Sequence, residues 1–289
     1  MTDLKRIIWL ASYPKSGNTW MRSLLAHYFM PKGKAPDINN LRRFTTGDVR
    51  KDFFDAAVGG TYTASTLEEW MRVRPKALQL IAGSKQGHHF VKTHCQTVRL
   101  FDRDVIPPEL TAAAIYIVRN PFDLAPSFAR HQDCDIDTAI ERMSHTDMMM
   151  STAEGIFEVL GRWDGHVAAW TQAPGLPIHV VRYEDLLEKP GPTMRKLLEG
   201  FLKLKVDKPK LAYAVKSTSF DVMRRQEDKL GFTEKPSVMT KFFAKGRAGA
   251  WREDLTPEQV GRIRTEFADT LEKWYPELLQ ETAEFAASA

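Results

Sequence analysis

The chain has 289 residues, of which 43% are hydrophobic and 27% charged, and its formal net charge at pH 7 is +4. This length and composition are typical of one globular α/β domain with insertions, and they exclude the fibrous and disordered classes of protein. The charge is far below the basic excess of a dedicated nucleic-acid-binding protein, so a small anionic ligand is the better interpretation.

The cysteines and the apolar segments indicate the cellular setting. Cys95 and Cys134 are the only cysteines, too few for a disulfide framework and without C-x-x-C spacing, so we expect two reduced thiols. No apolar run reaches the roughly 18 residues of a membrane helix. The apolar stretch after Arg6 is too short for the core of a signal peptide. We therefore expect a cytoplasmic protein without stable membrane insertion.

Short β-rich segments alternate with amphipathic helical segments along the chain. The predicted strands are mostly apolar without strict alternation, which is typical of strands buried on both faces of a parallel sheet. This order predicts an α/β fold with a central parallel β-sheet flanked by helices, and ligand binding at the carboxyl ends of the strands. The predicted strands are residues 7–11, 89–92, 113–118 and 178–182, and the predicted helices are residues 19–29, 67–81, 137–150, 155–170, 193–204, 208–215 and 257–274.

Two segments lack this periodicity. Residues 31–65 and 230–249 are rich in Gly, Pro and charged residues, and we predict long loops that are mobile or line the acceptor side of a site. No internal repeat, low-complexity tract or linker divides the sequence. We therefore expect a single domain over residues 1–289.

The first predicted strand leads directly into a tight loop and a helix start, Ser12-Tyr13-Pro14-Lys15-Ser16-Gly17-Asn18-Thr19-Trp20. Backbone N–H groups of such a loop converge on one point, the helix dipole adds partial positive charge, and Lys15 adds a full one. Thr19 adds a hydroxyl. The loop is not a Walker A motif, because Lys15 precedes its only glycine. The pattern predicts an anion site; the alternative is a structural turn with a solvated lysine.

His94 lies just past the end of the second predicted strand, where ligands bind in such folds. A neutral imidazole there can take a proton from an acceptor hydroxyl. Lys92 would share its side of the extended strand, because side chains alternate with a period of two. A lone histidine is more often structural or merely exposed, and this alternative stays open.

Arg119 ends the third predicted strand, and Asn120-Pro121 then supplies an N-cap and a first-turn proline. The paired donors of a guanidinium and the hydroxyl of Ser127, two helical turns on, suit a phosphate monoester. The alternative is a salt bridge from Arg119 to Asp123.

Together these motifs resemble those of sulfotransferases of the cytosolic type, which use 3′-phosphoadenosine-5′-phosphosulfate (PAPS). The family's phosphosulfate loop has the form Y-P-K-S-G-T-T-W, and this chain has Asn18 in place of its first Thr. Four motifs in the family's order, within residues 7–251, carry the resemblance. They are residues 13–20, residues 90–94 with the family's catalytic His, residues 118–121 with Ser127 as its 3′-phosphate site, and residues 244–251, which are similar to R-K-G-x-x-G-x-W.

The resemblance implies sulfuryl transfer from PAPS to a hydroxyl, with 3′,5′-ADP (PAP) as product. His94 would be the general base of an in-line displacement, while Lys15 and Lys92 stabilise the developing charge. No metal is expected, because Lys and backbone donors replace Mg²⁺. Aromatic faces would surround the adenine. The cofactor-binding residues implied are Lys15, Ser16, Gly17, Asn18, Thr19, Trp20, Arg119, Ser127, Tyr183, Thr218, Phe220, Lys245, Gly246 and Arg247.

The chain departs from the family pattern at two places. Ala244 stands where the family loop has Arg, which weakens the expected grip on the 3′-phosphate. Either Arg247 reaches this phosphate, or Arg119 holds it with backbone donors and Lys245. Cys95-Gln96 replaces the Leu-Pro that often follows the catalytic His, which bears on the shape of the acceptor pocket.

Other functions remain as alternatives. A small-molecule or nucleotide kinase would need a metal-binding Asp at a strand end and a Walker-type Lys, and the sequence has neither. A nucleotide-binding module without catalysis would differ from an enzyme in a turnover assay. The expected partner is a small-molecule hydroxyl acceptor and not a nucleic acid. The identity of the acceptor and the formation of a homodimer stay open.

Overall fold

The computed structural model describes residues 6–287 and has an α/β fold. The strands in chain order are β1 (Ile7–Ser12), β2 (Thr46–Gly47), β3 (His89–Thr93), β4 (Arg99–Leu100), β5 (Arg103–Asp104), β6 (Thr111–Val118), β7 (Met149–Ser151), β8 (Phe157–Val159) and β9 (Ile178–Arg182). The main sheet has five strands in the order β2-β3-β1-β6-β9, and β4-β5 and β7-β8 form two separate antiparallel pairs.

The central strand β1 runs parallel to β3 on one side and to β6 on the other. Ala11, near its carboxyl end, is opposite Thr93 of β3 and Tyr116 of β6. The three strands therefore end at the same edge of the sheet. The predicted fold class, with a central parallel sheet, is confirmed, and each of the four predicted strands is present.

Helices follow most of these strands, and some of the helices begin at a residue whose side chain caps the first turn. Asn120 caps α4 (Pro121–Gln132), while Thr66 with Glu69 forms a capping box at α3 (Leu67–Gly83). A π-helical stretch, Lys196–Phe201, continues α8, and a 3₁₀ turn covers Leu41–Arg43. The α-helices are α1 (Asn18–Phe29), α2 (Lys51–Val58), α3 (Leu67–Gly83), α4 (Pro121–Gln132), α5 (Ile136–Ser144), α6 (Trp163–Thr171), α7 (Tyr183–Glu188), α8 (Pro190–Arg195), α9 (Lys208–Ser217), α10 (Phe220–Leu230), α11 (Trp251–Asp254), α12 (Pro257–Glu266), α13 (Ala268–Trp274) and α14 (Pro276–Ala286).

The predicted helices over residues 137–150 and 155–170 were wrong in part. Between α5 and α6 the chain forms the antiparallel pair β7-β8. Gly155 turns the chain with a φ of +72°, and a Cβ there would lie 1.9 Å from the carbonyl oxygen of Ala64, so only glycine fits. The short apolar run of Met residues in β7 does not by itself distinguish a strand from a helix, and Gly155 is the signal against a continuous helix.

Two further boundaries differ from the prediction. The segment 31–65 was expected to be a loop, yet it contains β2 and the eight-residue helix α2. The predicted helix over residues 257–274 is divided at Phe267 into α12 and α13. Residues 231–250 contain no helix or strand, and their place on the acceptor side stays a prediction.

The described chain divides into two compact units, each built from separate segments. The first includes the chain up to Tyr13, Arg42–Ile117 and Thr146–Val180, and it holds β1, β3 and most of β6. The second includes Pro14–Leu41, Val118–His145 and the chain from Val181 onward, and it is mainly helical. That the whole chain is one domain stays a prediction.

Candidate functional site

The loop between β1 and α1 has the backbone of an anion site. Lys15 and Gly17 both have positive φ, 69° and 101°, a pattern that turns successive N–H groups inward. Gly17 is the N-cap of α1, and no side chain caps the helix there. A Cβ on Gly17 would lie 2.6 Å from the ring of Tyr183. Glycine is therefore required both by conformation and by the close aromatic ring.

Lys15 is buried and held over an aromatic face. Its Nζ lies 3.3 Å from the centroid of the Phe242 ring. The pKa of Lys15 is lowered to about 7, mainly by burial and also by the neighbouring charges of Arg119 and Arg130, while Glu227 opposes this change. Burial is thus the main cause of the low pKa, and the nearby positive charge is the second.

Arg119 lies next to this loop. Its Nη1 donates a hydrogen bond to the carbonyl oxygen of Lys15 at 3.0 Å, and its guanidinium lies 4.6 Å from the centroid of the Tyr183 ring. The Nε atom of Arg119, Nζ of Lys15 and Oγ of Ser16 are buried and have no hydrogen-bond partner among residues 6–287. These groups are available to an anion that accepts hydrogen bonds from them.

The Asp123 carboxylate is hydrogen-bonded to the backbone of the 244–251 loop rather than to Arg119. Its carboxylate accepts hydrogen bonds from the backbone N–H groups of Gly249 at 2.8 Å and Trp251 at 2.9 Å. It also accepts one from Nδ2 of Asn120 at 3.0 Å. The alternative role of Arg119, a salt bridge to Asp123, is therefore not what the structure has. Asp123 instead connects the loop to the start of α4.

Lys245 and Arg247 both contact carboxylates. The Nζ of Lys245 lies 2.7 Å from Asp254 and 3.3 Å from Glu253, and Arg247 is also paired with Glu253. Gly246 has a φ of +63°, and a Cβ there would lie 2.3 Å from the ring of Phe220. Gly246 therefore lies against Phe220, and the phosphate roles of Lys245 and Arg247 stay predictions.

Aromatic rings lie around the same loop. The Trp20 and Tyr183 rings meet edge to face with centroids 5.8 Å apart, and Tyr183 covers Gly17. The hydroxyl of Thr218 donates to the carbonyl oxygen of Ala214 at 2.9 Å. Ser127 is half-buried on α4. The structure brings Trp20 and Tyr183 together at the anion loop, whereas adenine contact by these residues is untested.

His94 follows β3, as predicted, and its imidazole has a defined tautomer. Nδ1 lies 2.7 Å from the carbonyl oxygen of Ser12, which can only accept, so Nδ1 carries the proton. In the neutral ring the lone pair is then on Nε2. This is the nitrogen that a general base would use.

The backbone around His94 is held by buried side chains of α6. Nε2 of His166 donates to the carbonyl oxygen of His94 at 3.0 Å, and Nε1 of Trp170 donates to that of Cys95 at 3.0 Å. The hydroxyl of Tyr116 donates to Nδ1 of His166 at 2.8 Å. Burial lowers the pKa of His166 to about 4. A neutral His166 therefore fixes the end of β3.

The strand itself is anchored beneath His94. The hydroxyl of Thr93 donates to Asp48 at 2.7 Å, and the same carboxylate accepts from the buried Arg74 at 2.7 Å. Lys92 is half-buried, and its Nζ lies 4.0 Å from Glu158. Sequence reasoning missed this ion pair, the Asp48 network and the α6 contacts, because all of them join segments far apart in the chain.

Among residues 6–287 no helix is both long and apolar enough to cross a membrane. The same described residues contain no group of three or more His, Cys, Asp or Glu side chains that could hold a metal ion. Cys95 is buried, and burial raises the pKa of its thiol to about 12. Cys95 is accordingly a protonated thiol at neutral pH.

A family model for the sulfotransferase domain matches residues 5–275. The chain therefore belongs to the sulfotransferase family, which confirms the family predicted from the four motifs. Sulfotransferase 1B1 of Canis lupus familiaris is 26% identical over 270 residues, covering 86% of this chain and 78% of that protein. Cytosolic sulfotransferase 10 of Arabidopsis thaliana is 23% identical over 266 residues, covering 88% and 74%.

Solved structures share the fold. A mouse sulfotransferase complexed with PAP is 20% identical with a TM-score of 0.60, and the match covers 99% of this chain and 90% of that one. Retinol dehydratase in a complex with retinol and PAP is 19% identical with a TM-score of 0.62, covering 94% and 82%. At this sequence identity the similarity shows a shared fold and nothing more.

Proposed function

We propose that this chain transfers the sulfuryl group of PAPS to the hydroxyl of a small-molecule acceptor and releases PAP. One observation carries the proposal: Lys15, Ser16 and Arg119 each present a buried donor without a hydrogen-bond partner among residues 6–287. Buried polar groups in folded proteins are nearly always paired. A phosphosulfate-type anion at the uncapped start of α1 would pair all three.

Membership of the family and the aromatic surroundings favour a nucleotide over a simple anion. The Tyr183 and Trp20 rings beside the loop offer faces for a flat base. Arg119 offers a guanidinium fork for a phosphate monoester. The fold is that of the mouse sulfotransferase whose structure is a complex with PAP.

The proposed chemistry is an in-line displacement. PAPS, when bound, supplies a sulfur electrophile and a good leaving group. His94 removes the acceptor proton at Nε2, because the hydrogen bond to Ser12 places the ring proton on Nδ1. Lys15, Lys92 and the loop N–H groups stabilise negative charge that grows during the transfer. The chain supplies these cations itself, so the proposal includes no metal.

Two measurements test the proposal. Calorimetry in the presence of EDTA is expected to show 3′,5′-ADP binding at least about tenfold more tightly than 5′-AMP, since a charge-assisted contact contributes roughly 1.5–3 kcal/mol. Transfer of labelled sulfuryl from PAPS is then screened over phenols, alcohols, sugars and peptides. Equal affinities for the two nucleotides would show that the protein has no 3′-phosphate site.

The outcomes separate the proposed enzyme from its alternatives. Selective binding without transfer to any acceptor in the screen would favour a nucleotide-binding module. Phosphoryl transfer from ATP with Mg²⁺ would favour a kinase. Sulfuryl transfer that proceeds in EDTA supports the proposed function.

A further inference from the structure

Arg130 lies beside the residues expected to hold the 3′-phosphate, although no motif includes it. It follows Ser127 by three positions on α4, so both side chains emerge on one face of the helix. Its Nη1 lies 3.9 Å from Asp254, the carboxylate that also contacts Nζ of Lys245 at 2.7 Å. Asp254 thus places Arg130 next to the loop that begins at Ala244.

Arg130 belongs to a group of three neighbouring cations, with Arg119 and Lys15. Burial lowers the pKa of Arg130, Asp254 opposes this change, and the neighbouring Arg119 adds to it. The charges of Arg119 and Arg130 both lower the pKa of Lys15. Three cations therefore lie within Coulombic reach of one another. None of the three has a carboxylate within hydrogen-bond distance among residues 6–287. Such a cluster is costly unless an anion of comparable charge binds there.

The sequence suggested Arg247 as the substitute for the arginine missing at position 244, but the surroundings of Arg247 differ from those of Arg130. Its side chain is 56% exposed and paired with Glu253. The Arg130 side chain is 40% exposed, and its nearest carboxylate lies beyond hydrogen-bond distance. Arg130 can therefore turn its guanidinium to a ligand without breaking a close ion pair.

We propose that Arg130 is the second guanidinium of the 3′-phosphate site and compensates for the arginine that Ala244 replaces. The proposal rests on the proposed function, because it assumes a nucleotide with a 3′-phosphate. With Arg119 it surrounds a phosphate dianion with two planar forks, a pairing that suits a phosphate monoester. Arg130 would then set the preference for 3′-phosphorylated adenine nucleotides.

The test compares 3′,5′-ADP with 5′-AMP by calorimetry in Arg130→Ala. We expect the affinity for 3′,5′-ADP to fall at least about tenfold and that for 5′-AMP less than about threefold, because only the former carries the phosphate. Arg130→Lys should restore part of the loss, since it keeps the charge but not the fork. Thermal unfolding confirms that each variant is folded, and Arg130→Lys alone serves if Arg130→Ala is not.

Arg262→Ala is the matched control. The Arg262 side chain is also 40% exposed, and its Nη1 is also 3.9 Å from a carboxylate, that of Asp137. Its loss should change both affinities by less than about twofold. A selective loss in Arg262→Ala equal to that in Arg130→Ala would contradict the proposal.

The inference and the proposed function can fail separately. If the wild type prefers 3′,5′-ADP but Arg130→Ala keeps the same preference, Arg130 does not serve the 3′-phosphate and the proposed function stands. If the wild type has no preference, both are overturned. An equal fall in both affinities would also exclude a selective role for Arg130.

Discussion

The ammonium group of Lys15 lies over the face of the Phe242 ring, with Nζ 3.3 Å from the ring centroid. A cation over an aromatic face recovers part of the solvation that burial removes. This recovery is incomplete, because burial and the charges of Arg119 and Arg130 lower the pKa of Lys15 to about 7. The protein without ligand therefore holds Lys15 as a mixture of charged and neutral forms near neutral pH.

The low pKa of Lys15 predicts that nucleotide binding takes up protons. A bound anion favours the charged amine and raises its pKa, so above pH 7 the complex holds a proton that the free protein lacks. Affinity for 3′,5′-ADP should accordingly fall as the pH rises from 7 to 9. Calorimetry at pH 8 in two buffers of different ionisation enthalpy measures the uptake.

Lys15→Arg is the control for this linkage, because its guanidinium stays charged over the whole range. The uptake at pH 8 should disappear in this variant. Equal proton uptake by the wild type and Lys15→Arg would assign the linkage to another group. No uptake by the wild type would show that anion binding does not depend on the charge of Lys15.

A methyl group at Gly246 should disrupt nucleotide binding. A Cβ there would lie 2.3 Å from the Phe220 ring, so the ring or the loop with Lys245 must move. We expect Gly246→Ala to weaken 3′,5′-ADP by about tenfold, which is about 1.4 kcal/mol. Calorimetry measures the affinity, and thermal unfolding measures the separate cost of the strained backbone.

Gly59→Ala separates backbone strain from the steric contact. Gly59 has a similar φ of +70°, but a Cβ there would have nothing within 4 Å. Both variants should lose about 1 kcal/mol of stability for the left-handed conformation. Binding should stay unchanged in Gly59→Ala. Unchanged binding in Gly246→Ala would show that Phe220 and Lys245 do not hold the nucleotide.

The loop and the strand ends could be predicted because their signals are local. Lys15 and Gly17 lie between an apolar strand and a helix in one continuous segment, and Asn120 caps α4 from the position next to Arg119. Sequence spacing alone was enough to locate these features. The tautomer of His94 could not be predicted, because it depends on the carbonyl oxygen of Ser12, 82 residues away.

Long-range contacts account for the rest of what the sequence did not show. Phe242 lies over Lys15 only after the 231–250 segment folds back, and Glu227 fixes that segment by accepting from the Phe242 and Phe243 N–H groups. Arg130 had one local signal, its three-residue spacing from Ser127. The Met-rich segment of β7 was assigned to a helix because apolar spacing does not distinguish these structures over short runs.

The stability of the protein should fall in acid through His166. Its pKa is about 4 in the folded protein, against an ordinary value of 6.5. Between these values the unfolded chain binds more protons than the folded protein. The contribution of His166 to stability is therefore fully present above pH 6.5 and decreases as the pH falls to 4. The loss can reach about 3 kcal/mol. Urea unfolding measured over this range checks the slope.

His166→Gln separates this contribution from that of the carboxylates. The glutamine amide keeps a donor for the carbonyl oxygen of His94 but does not titrate in this range. The slope of stability against pH between 4 and 6.5 should be shallower in this variant. An identical slope would mean that His166 does not remain neutral in the folded protein.

Replacement of His94 should separate turnover from nucleotide binding. Loss of a general base typically lowers the rate by about 10²–10⁴, whereas 3′,5′-ADP affinity should stay within about threefold, because His94 is assigned to the acceptor. The measurements are sulfuryl transfer to the acceptor found in the screen and calorimetry on His94→Ala. His88→Ala, at an exposed position just before the start of β3, is the control and should keep full activity.

The size of the rate loss in His94→Ala should depend on the acceptor, which gives a second test of this prediction. A weakly acidic phenol needs less help in losing its proton than an aliphatic alcohol, so the rate loss in His94→Ala should be larger for the alcohol. Activity of the wild type should also fall in acid, since a protonated imidazole cannot accept the proton. A folded His94→Ala protein that transfers sulfuryl to both acceptors at near wild-type rate would contradict the role of His94 as base. The proton would then leave by another group, or the acceptor would bind already deprotonated.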